Sequence, residues 1–413
     1  MSASKSPQSV FVIGKVWPEP TSSAAGIRIL QILKAFQEQG FQITFASSAG
    51  KSPFSFDLNS IGIEEAEIEL NNSSFDAFIA ELNPEIVLFD RFSTEEQFGW
   101  RVVENCPETL RILDTEDLHC LREGRRIAFK EGRAFVSSDL NNDIAKREIA
   151  SILRCDLSLI ISEVEMNVLQ NHFRIPAELL VYVPFIVDGN FNKPWNTFEN
   201  RKHFVSIGNF LHEPNWDAVL YLKQSIWPTI RSKIPTAELH ICGAYPSQKV
   251  HQLHNPKEGF LIKGRAEDAL EAIENYRVLV APLRFGAGLK GKLIDAMQTG
   301  TPSITTSIGA EGMNGDFDWP GVIVDSPQQF AEECIQLHEK KELWENAQSG
   351  IKPLLKNRFS AENLEKFMEI VSQLSLTLDQ HRSKNFLGQM LMHHSLASTK
   401  FMSKWIEEKN KIK

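Results

Sequence analysis

The chain has 413 residues, 42% of them hydrophobic and 23% charged, with a net charge of −9. That length points to two hydrophobic cores rather than one, and the acidic balance argues against a general nucleic-acid binder, which needs a basic footprint. Five scattered cysteines without a C-x-x-C pair point to reduced thiols in the cytoplasm rather than to a disulfide framework. The start, "MSASKSPQSVFVIG", lacks the apolar core of a signal peptide, and no run reaches the about 18 apolar residues of a spanning helix.

In chain order, "SVFVIGK" (9–15) reads as a first strand, short, apolar and rich in β-branched residues. Residues 24–40 follow with helical spacing of Ile27, Leu30, Ile32, Leu33 and Phe36, stopped by Gly40. Further strands are expected at 41–48, 85–91, 110–116, 155–162 and 179–185. These runs are apolar almost without a break, the pattern of parallel strands covered by helices on both faces. Residues 118–154 are polar and helix-prone, with no strong strand. The stretch "VDGNFNKPWNTFENRK" (187–202) is polar and turn-rich and reads as a linker.

A second series then begins, with strands at 203–209, 237–243, 259–264, 277–283, 301–307 and 321–325. Helices are expected between them at 216–230, 266–274, 289–299 and 327–339. The fold class is therefore α/β, with two Rossmann-like, doubly wound parallel-sheet domains. The first spans 1–190 and the second 191–378, followed by an amphipathic, locally basic tail over 379–413. The tail carries Phe386, Leu387, Met390, Leu391, Phe401, Met402 and Trp405. It reads either as helices returning to the first domain or as a surface for a membrane or a partner.

The densest chemistry lies in "FGAGLKGKLIDAM" (285–297), just past the strand at 277–283. Ligands of a parallel sheet sit outside the carboxyl ends of its strands. Gly286, Gly288 and Gly291 let backbone N–H groups approach a ligand closely. The helix that follows turns its positive end to the same place, and Lys290 and Lys292 add two full charges. A diphosphate suits this set. Lys292, Asp295 and Thr299 share one helical face, so Asp295 is placed to accept hydrogen bonds from hydroxyls such as those of a ribose. Read alone, the loop is equally a glycine turn with solvated lysines.

The longer stretch "APLRFGAGLKGKLIDAMQTGTPSITTSIGAEGM" (281–313) resembles the donor-site motif of family 4 retaining glycosyltransferases, which have the GT-B fold. Residues 203–243 are similar to the opening unit of their C-terminal domain, and "IKGRAEDALEAIENYRVLVAPLR" (262–284) to their nucleotide-base section. The resemblance runs from 203 to about 325. It implies two domains facing a central cleft, with the donor held by the second. Arg265 would lie beside the base, and Lys290 and Lys292 at the diphosphate as catalytic cations. Asp295 would take the place of the glutamate that binds the ribose. Gly208 and Asn209 would lie near the phosphates, with Gly286, Ala287, Gly288 and Leu289 in the donor loop. Two departures stand out. Ala287 occupies the place of the first motif glutamate, which contacts the donor sugar, and "GNFLHEPN" lacks the usual Arg and Lys.

In the first half, "GKVWPEPTSSAAGIRILQIL" (14–33) takes the place of the family's glycine-rich turn. Gly26 and its small neighbours permit close approach, and Arg28 is expected to reach a phosphate; a plain helix N-cap with a solvent-facing arginine is the other reading. "RILDTEDLHCLREGRR" (111–126) supplies His119, which the resemblance places near the acceptor and the reacting sugar carbon, and which equally suits a structural role. Glu116 and Asp117 are candidates for acceptor orientation, and Asp90 and Arg91 for the border of the acceptor cleft. Ser162 and Glu163 resemble the family's strand-end pair near the cleft, and Glu311 is either donor-side or part of a turn.

The implied activity is transfer of a sugar from a nucleotide-sugar donor to a saccharide, lipid-linked or other hydroxyl acceptor, with retention of configuration. No cofactor and no metal are expected, since such enzymes stabilise the leaving diphosphate with protein groups. The expected place is the cytoplasm, with peripheral contact at the inner membrane face through the tail. A nucleotide-sugar epimerase of related architecture and a non-catalytic GT-B protein that binds nucleotide sugars are the alternatives.

Overall fold

Thirteen strands build two sheets in the computed structural model, which describes residues 8–187 and 194–411. The N-terminal sheet holds β1 (Ser9–Gly14), β2 (Gln42–Ser47), β3 (Glu64–Glu67), β4 (Ile86–Asp90), β5 (Leu110–Asp114), β6 (Leu157–Ile160) and β7 (Leu180–Tyr182), in the order β3-β2-β1-β4-β5-β6-β7. The C-terminal sheet holds β8 (Lys202–Ile207), β9 (Leu239–Cys242), β10 (Phe260–Gly264), β11 (Tyr276–Ala281), β12 (Ser303–Thr305) and β13 (Gly321–Ile323), in the order β10-β9-β8-β11-β12-β13. Every pairing between these strands is parallel.

Both sheets reverse their strand order beside the first strand, between β1 and β4 and between β8 and β11. Such switch points open a crevice at the carboxyl ends of the strands. The two crevices face each other.

Successive residues of each strand feed opposite faces, which gives each domain two cores. In the first, Phe11, Ile13 and Phe89 pack with Phe75 and Phe98 on one face, while Val12, Leu88 and Ile112 pack with Ile32, Leu33 and Phe36 on the other. In the second, Phe204, Ile241 and Val278 meet Trp227 and Trp344, and Val205, Leu279 and Ala281 meet Leu293, Met297 and Leu354.

Three differences from the sequence reading have physical causes. The strand β3, with the sequence Glu-Glu-Ala-Glu, has no apolar run to reveal it, because it is a solvated edge strand. The strands expected at 85–91 and 110–116 end earlier, and Arg91 (φ 74°) and Glu116 (φ 63°) turn into the left-handed region just beyond β4 and β5. The domain boundary expected at 378 falls inside a helix, Glu362–Lys384, whose Phe367, Met368, Val371 and Leu374 complete the N-terminal core. The chain therefore crosses back after Phe359, where the Val187 N–H donates to the Phe359 carbonyl at 2.8 Å and ties the two crossing segments together. Of the expected linker, 188–193 lies outside the described residues. Trp195 packs on the C-terminal domain and donates to the Gln298 carbonyl at 2.9 Å.

Candidate active site in the interdomain cleft

A cavity of about 1000 Å³ lies between the domains. Its C-terminal wall begins where β11 ends. Gly286 (φ 151°) and Gly288 (φ 63°) sharpen the turn into the helix Gly291–Gln298, whose N-terminus opens on the cleft. A Cβ on Gly288 would meet the Cβ of Asp117 at 2.8 Å, and one on Gly291 would meet the Cβ of Ala24 at 2.5 Å. The glycines are thus required by the nearness of the opposite domain, and not by the turn alone.

Lys292 donates to Asn215 Oδ1 at 2.6 Å. Burial pushes its ammonium down to about 7, against the pull of Asp295. Asp295, one helical turn on, is raised to about 7 by burial and by the neighbouring charge of Asp268. A pair with both groups so poorly solvated favours a ligand that supplies hydroxyl and phosphate partners. Lys290 is differently placed. Its ammonium folds back on its own loop, donating to the carbonyls of Ala287 (3.1 Å) and Gly288 (2.5 Å). Burial lowers it to about 8, while Glu311 and Glu165 oppose the shift. Ala287 and Leu289 line the cleft and belong to apolar clusters.

Gly208 and Asn209 follow β8 and line the same wall. A Cβ on Gly208 would meet the Lys292 ammonium at 2.7 Å, so glycine there leaves room for the cation. Arg265, past β10, reaches across to Thr21 Oγ1 at 2.7 Å and stacks over Phe54 at 4.2 Å. Tyr245 beside it donates to both Glu19 oxygens at 2.8 Å. On the opposite rim Arg125 grips Glu311 through two bonds of 2.7 and 2.6 Å and donates to the Gly286 carbonyl at 2.9 Å. Arg358 holds Glu163 at 3.0 and 2.6 Å. Glu311 and Glu163 are thus interdomain clasps, and Ser162 caps a helix by accepting from the Val164 N–H at 3.3 Å.

The N-terminal wall carries Gly26, Asp90, Arg91, Glu116, Asp117 and His119. Gly26 is needed for packing, since a Cβ would lie 2.4 Å from the Glu19 backbone. One Asp90 oxygen accepts from the Lys15 N–H at 3.0 Å, while the other is buried without a hydrogen-bond partner, and the carboxyl is raised by burial. Glu116 is pushed up to about 8, first by burial and then by Asp114. Arg91 lies 3.8 Å from Asp90 and has no closer carboxylate among the described residues. Burial would raise Asp117, but Arg122 and then His119 hold it well below the usual carboxylate range. His119 turns Nδ1 toward the Asp117 carbonyl (3.0 Å) and Glu148 (3.3 Å), and its ring meets Phe92 edge-on.

Arg28 is a correction. It does not reach the cleft but lies 1% exposed beneath it, with Nη2 2.9 Å from Asp114 and Nη1 on the Val183 carbonyl at 2.5 Å. The inner face of this helix covers the sheet and brings Arg28 to the carboxyl ends of the strands, where Asp114 at the end of β5 neutralises it.

Several groups at the site escaped the sequence reading. Asn215 holds Lys292 and also donates to the Asn209 carbonyl at 2.8 Å. His212, open to the cleft, is pushed down to about 4 by the surrounding protein despite nearby Asp117. Both stand in "GNFLHEPN", which lacks Arg and Lys but carries other polar groups. Glu165 is buried between the domains, and its Oε1 accepts from the N–H groups of Leu118 (3.0 Å) and Gly288 (2.7 Å). Burial, with help from Asp117, raises it to about 8.

Two Rossmann-like domains closing on one cleft define the GT-B fold. Residues 201–340 match the family model described as glycosyl transferases group 1. An uncharacterized 44.6 kDa protein in the cps region of Klebsiella pneumoniae is 24% identical over 213 residues, which cover 50% of this chain and 51% of that protein. The chain thus spans about half the length of this curated relative. Among solved structures, HepE of Anabaena, in complex with UDP and glucose, is similar with a TM-score of 0.65 and 12% identity, over 90% of this chain and 100% of that one. A TarM mutant of S. aureus, in complex with fondaparinux, alpha-GlcNAc-glycerol and UDP, is similar with a TM-score of 0.57 and 16% identity, over 71% of this chain and 57% of that one.

Proposed function

We propose that this protein is a glycosyltransferase that moves a sugar from a nucleotide-sugar donor to a hydroxyl acceptor with retention of configuration. One observation carries the reading. The glycine loop, the N-terminus of Gly291–Gln298, Lys292 and Asp295 converge on a single cleft, with the small-residue turn Ser22–Gly26 facing them. The diphosphate would lie between these walls and the ribose against Asp295. The bond from the sugar's anomeric carbon to the diphosphate breaks and a bond to the acceptor oxygen forms. The acceptor's proton passes to the departing diphosphate, so no strong general base is required. Lys292 and the backbone N–H groups stabilise the charge that develops, and Lys290 would exchange its loop carbonyls for phosphate oxygens. The rim contacts close the cleft against water.

The acceptor would sit against Asp90, Arg91, Glu116 and His119. Asp90, with one oxygen unpartnered, and a protonated Glu116 offer hydrogen bonds to a polyol. No metal or cofactor is part of the proposal. The UDP in the TarM and HepE complexes makes uridine diphosphate sugars the first donors to try.

The test is incubation of the protein with uridine diphosphate sugars and a saccharide panel, with the product's anomeric configuration read by NMR. Transfer with the donor's configuration is expected. An inverted product would remove retention, and conversion of donor without acceptor would favour an epimerase. Donor binding without turnover across the panel would favour the non-catalytic reading, to which Ala287 lends its missing carboxylate.

A further inference from the structure

The last helix, Phe386–Lys411, packs on the helices Phe92–Asn105 and Asp143–Arg154 of the N-terminal domain. Its inner contacts are specific. Ser403 is buried and accepts from Arg101 at 3.2 Å, and Glu407 is turned inward onto the Ser73 hydroxyl at 2.6 Å. Gly388 lies so close to the Leu153 carbonyl that a Cβ would sit 2.1 Å from it.

The outer face has a different character. Phe386, Leu387, Met390, Phe401, Met402 and Trp405 are 45–67% exposed. With 3.6 residues per turn, all six fall within about half of the helix circumference. Single exposed apolar side chains are ordinary, but six on one stripe of one helix mark an interaction surface.

The charges say which surface this stripe fits. Lys404 projects along one edge of the stripe and Lys409 along the other, and both are exposed. Lys409 lies over the Trp405 ring at 5.0 Å, and Lys404 has no carboxylate partner among the described residues. Lys400 is paired with Glu104 of the helix beneath, and Glu408, the one acid on the outer face, is held by Lys411 at 2.7 Å, which leaves Lys404 and Lys409 as the basic margins. Phe401 and Trp405 in the middle with Lys404 and Lys409 on the two edges form the arrangement of a helix lying in a membrane interface, its apolar face in the acyl boundary and its lysines among anionic headgroups. A second copy of the same helix would bring like charges together along both margins.

We propose that the helix Phe386–Lys411 docks this protein on an anionic lipid surface. The two helices that carry it also supply Phe92 and Arg147 to the cleft wall. The docked surface thus belongs to the acceptor half of the molecule, and the acceptor class this favours is a lipid-anchored saccharide. That last step rests on the transferase reading, whereas docking itself is measured without turnover.

The experiment is co-sedimentation of the full chain with vesicles of phosphatidylcholine alone and of phosphatidylcholine with phosphatidylglycerol. The wild type should partition to the anionic vesicles at least tenfold better than to the neutral ones. The double variant Phe401→Ser/Trp405→Ser should lose binding to both, and Lys404→Glu/Lys409→Glu should lose the preference for anionic lipid. Both variants should keep the wild-type Tm and the wild-type transfer to a soluble acceptor. Absence of binding to either vesicle, or equal binding by wild type and Phe401→Ser/Trp405→Ser, would overturn the proposal. So would a dimer in light scattering that the same double variant dissociates, since the stripe would then belong to a second copy. Loss of transfer with lipid binding intact would strike the transferase reading alone.

Discussion

On the C-terminal side of the cleft the charged groups are few and thinly paired. Lys292 holds one side-chain amide, Lys290 holds the carbonyls of its own loop, and Asp295 makes no hydrogen bond to another side chain among the described residues. On the N-terminal side the charges are many and mostly engaged with one another: Arg28 with Asp114, Arg122 with Asp117, and His119 with the Asp117 carbonyl and Glu148. The first wall is poised to exchange its bonds for those of a ligand. The second is a scaffold in which Asp90, Arg91 and Glu116 keep capacity to spare. A ligand's affinity should thus depend on the first wall and the protein's stability on the second.

Removing a scaffold carboxylate should have the largest effect on stability. Asp114→Ala leaves Arg28 as an uncompensated buried cation, which costs about 3–5 kcal/mol and is read as a lower midpoint in denaturant. A loss below 1 kcal/mol would erase the distinction between the walls. Gly288→Ala tests where they meet, since the new methyl group needs a left-handed backbone and lies 2.8 Å from the Asp117 Cβ. A penalty of about 1–3 kcal/mol is expected for the strain, with transfer lowered about tenfold and the fold intact by circular dichroism.

Glu165→Gln sharpens the comparison through pH. The folded carboxyl is raised from 4.5 to about 8, so the folded state keeps a proton that the unfolded chain gives up near pH 4.5. Stability from this group therefore falls as pH rises through that window. Glutamine imitates the protonated form, so the variant's Tm should match the wild type near pH 4.5 and exceed it increasingly toward pH 8, by several degrees. A constant difference would remove Glu165 from the pH response. The smallest effect belongs to the exposed rim. Thr21→Val frees Arg265 and should change Tm by less than about 1 °C, while weakening the donor a few-fold if closure uses this contact.

The same contrast explains what the sequence disclosed. Alternate β and α segments and near-continuous apolar runs pointed to two parallel sheets because those patterns are local. The place of the glycine loop on the cleft was equally readable, since its glycines, lysines and Asp295 stand within ten residues of each other and the strand before it locates them. Arg28 was misplaced because its partner, Asp114, is 86 residues away, and no spacing rule joins a helix's second turn to the end of a distant strand. The domain boundary failed for a related reason. An amphipathic helix states that it covers a core, but Glu362–Lys384 does not state which. Glu165 escaped because its contact with the glycine loop joins residues 123 positions apart across the two domains.

The central claim is that Lys292 and the loop before it hold a nucleoside diphosphate. Calorimetric titration of the diphosphate of the active donor into wild type and Lys292→Ala, from pH 6 to pH 9, tests it most directly. One site per chain is predicted, with proton uptake on binding and affinity falling as pH rises above about 7, because the phosphate selects the charged form of an ammonium that burial has lowered. Lys292→Ala should bind about a hundredfold more weakly, the equivalent of ~3 kcal/mol for one charge-assisted contact. Undiminished binding by the variant, with the wild-type pH dependence, would contradict the account.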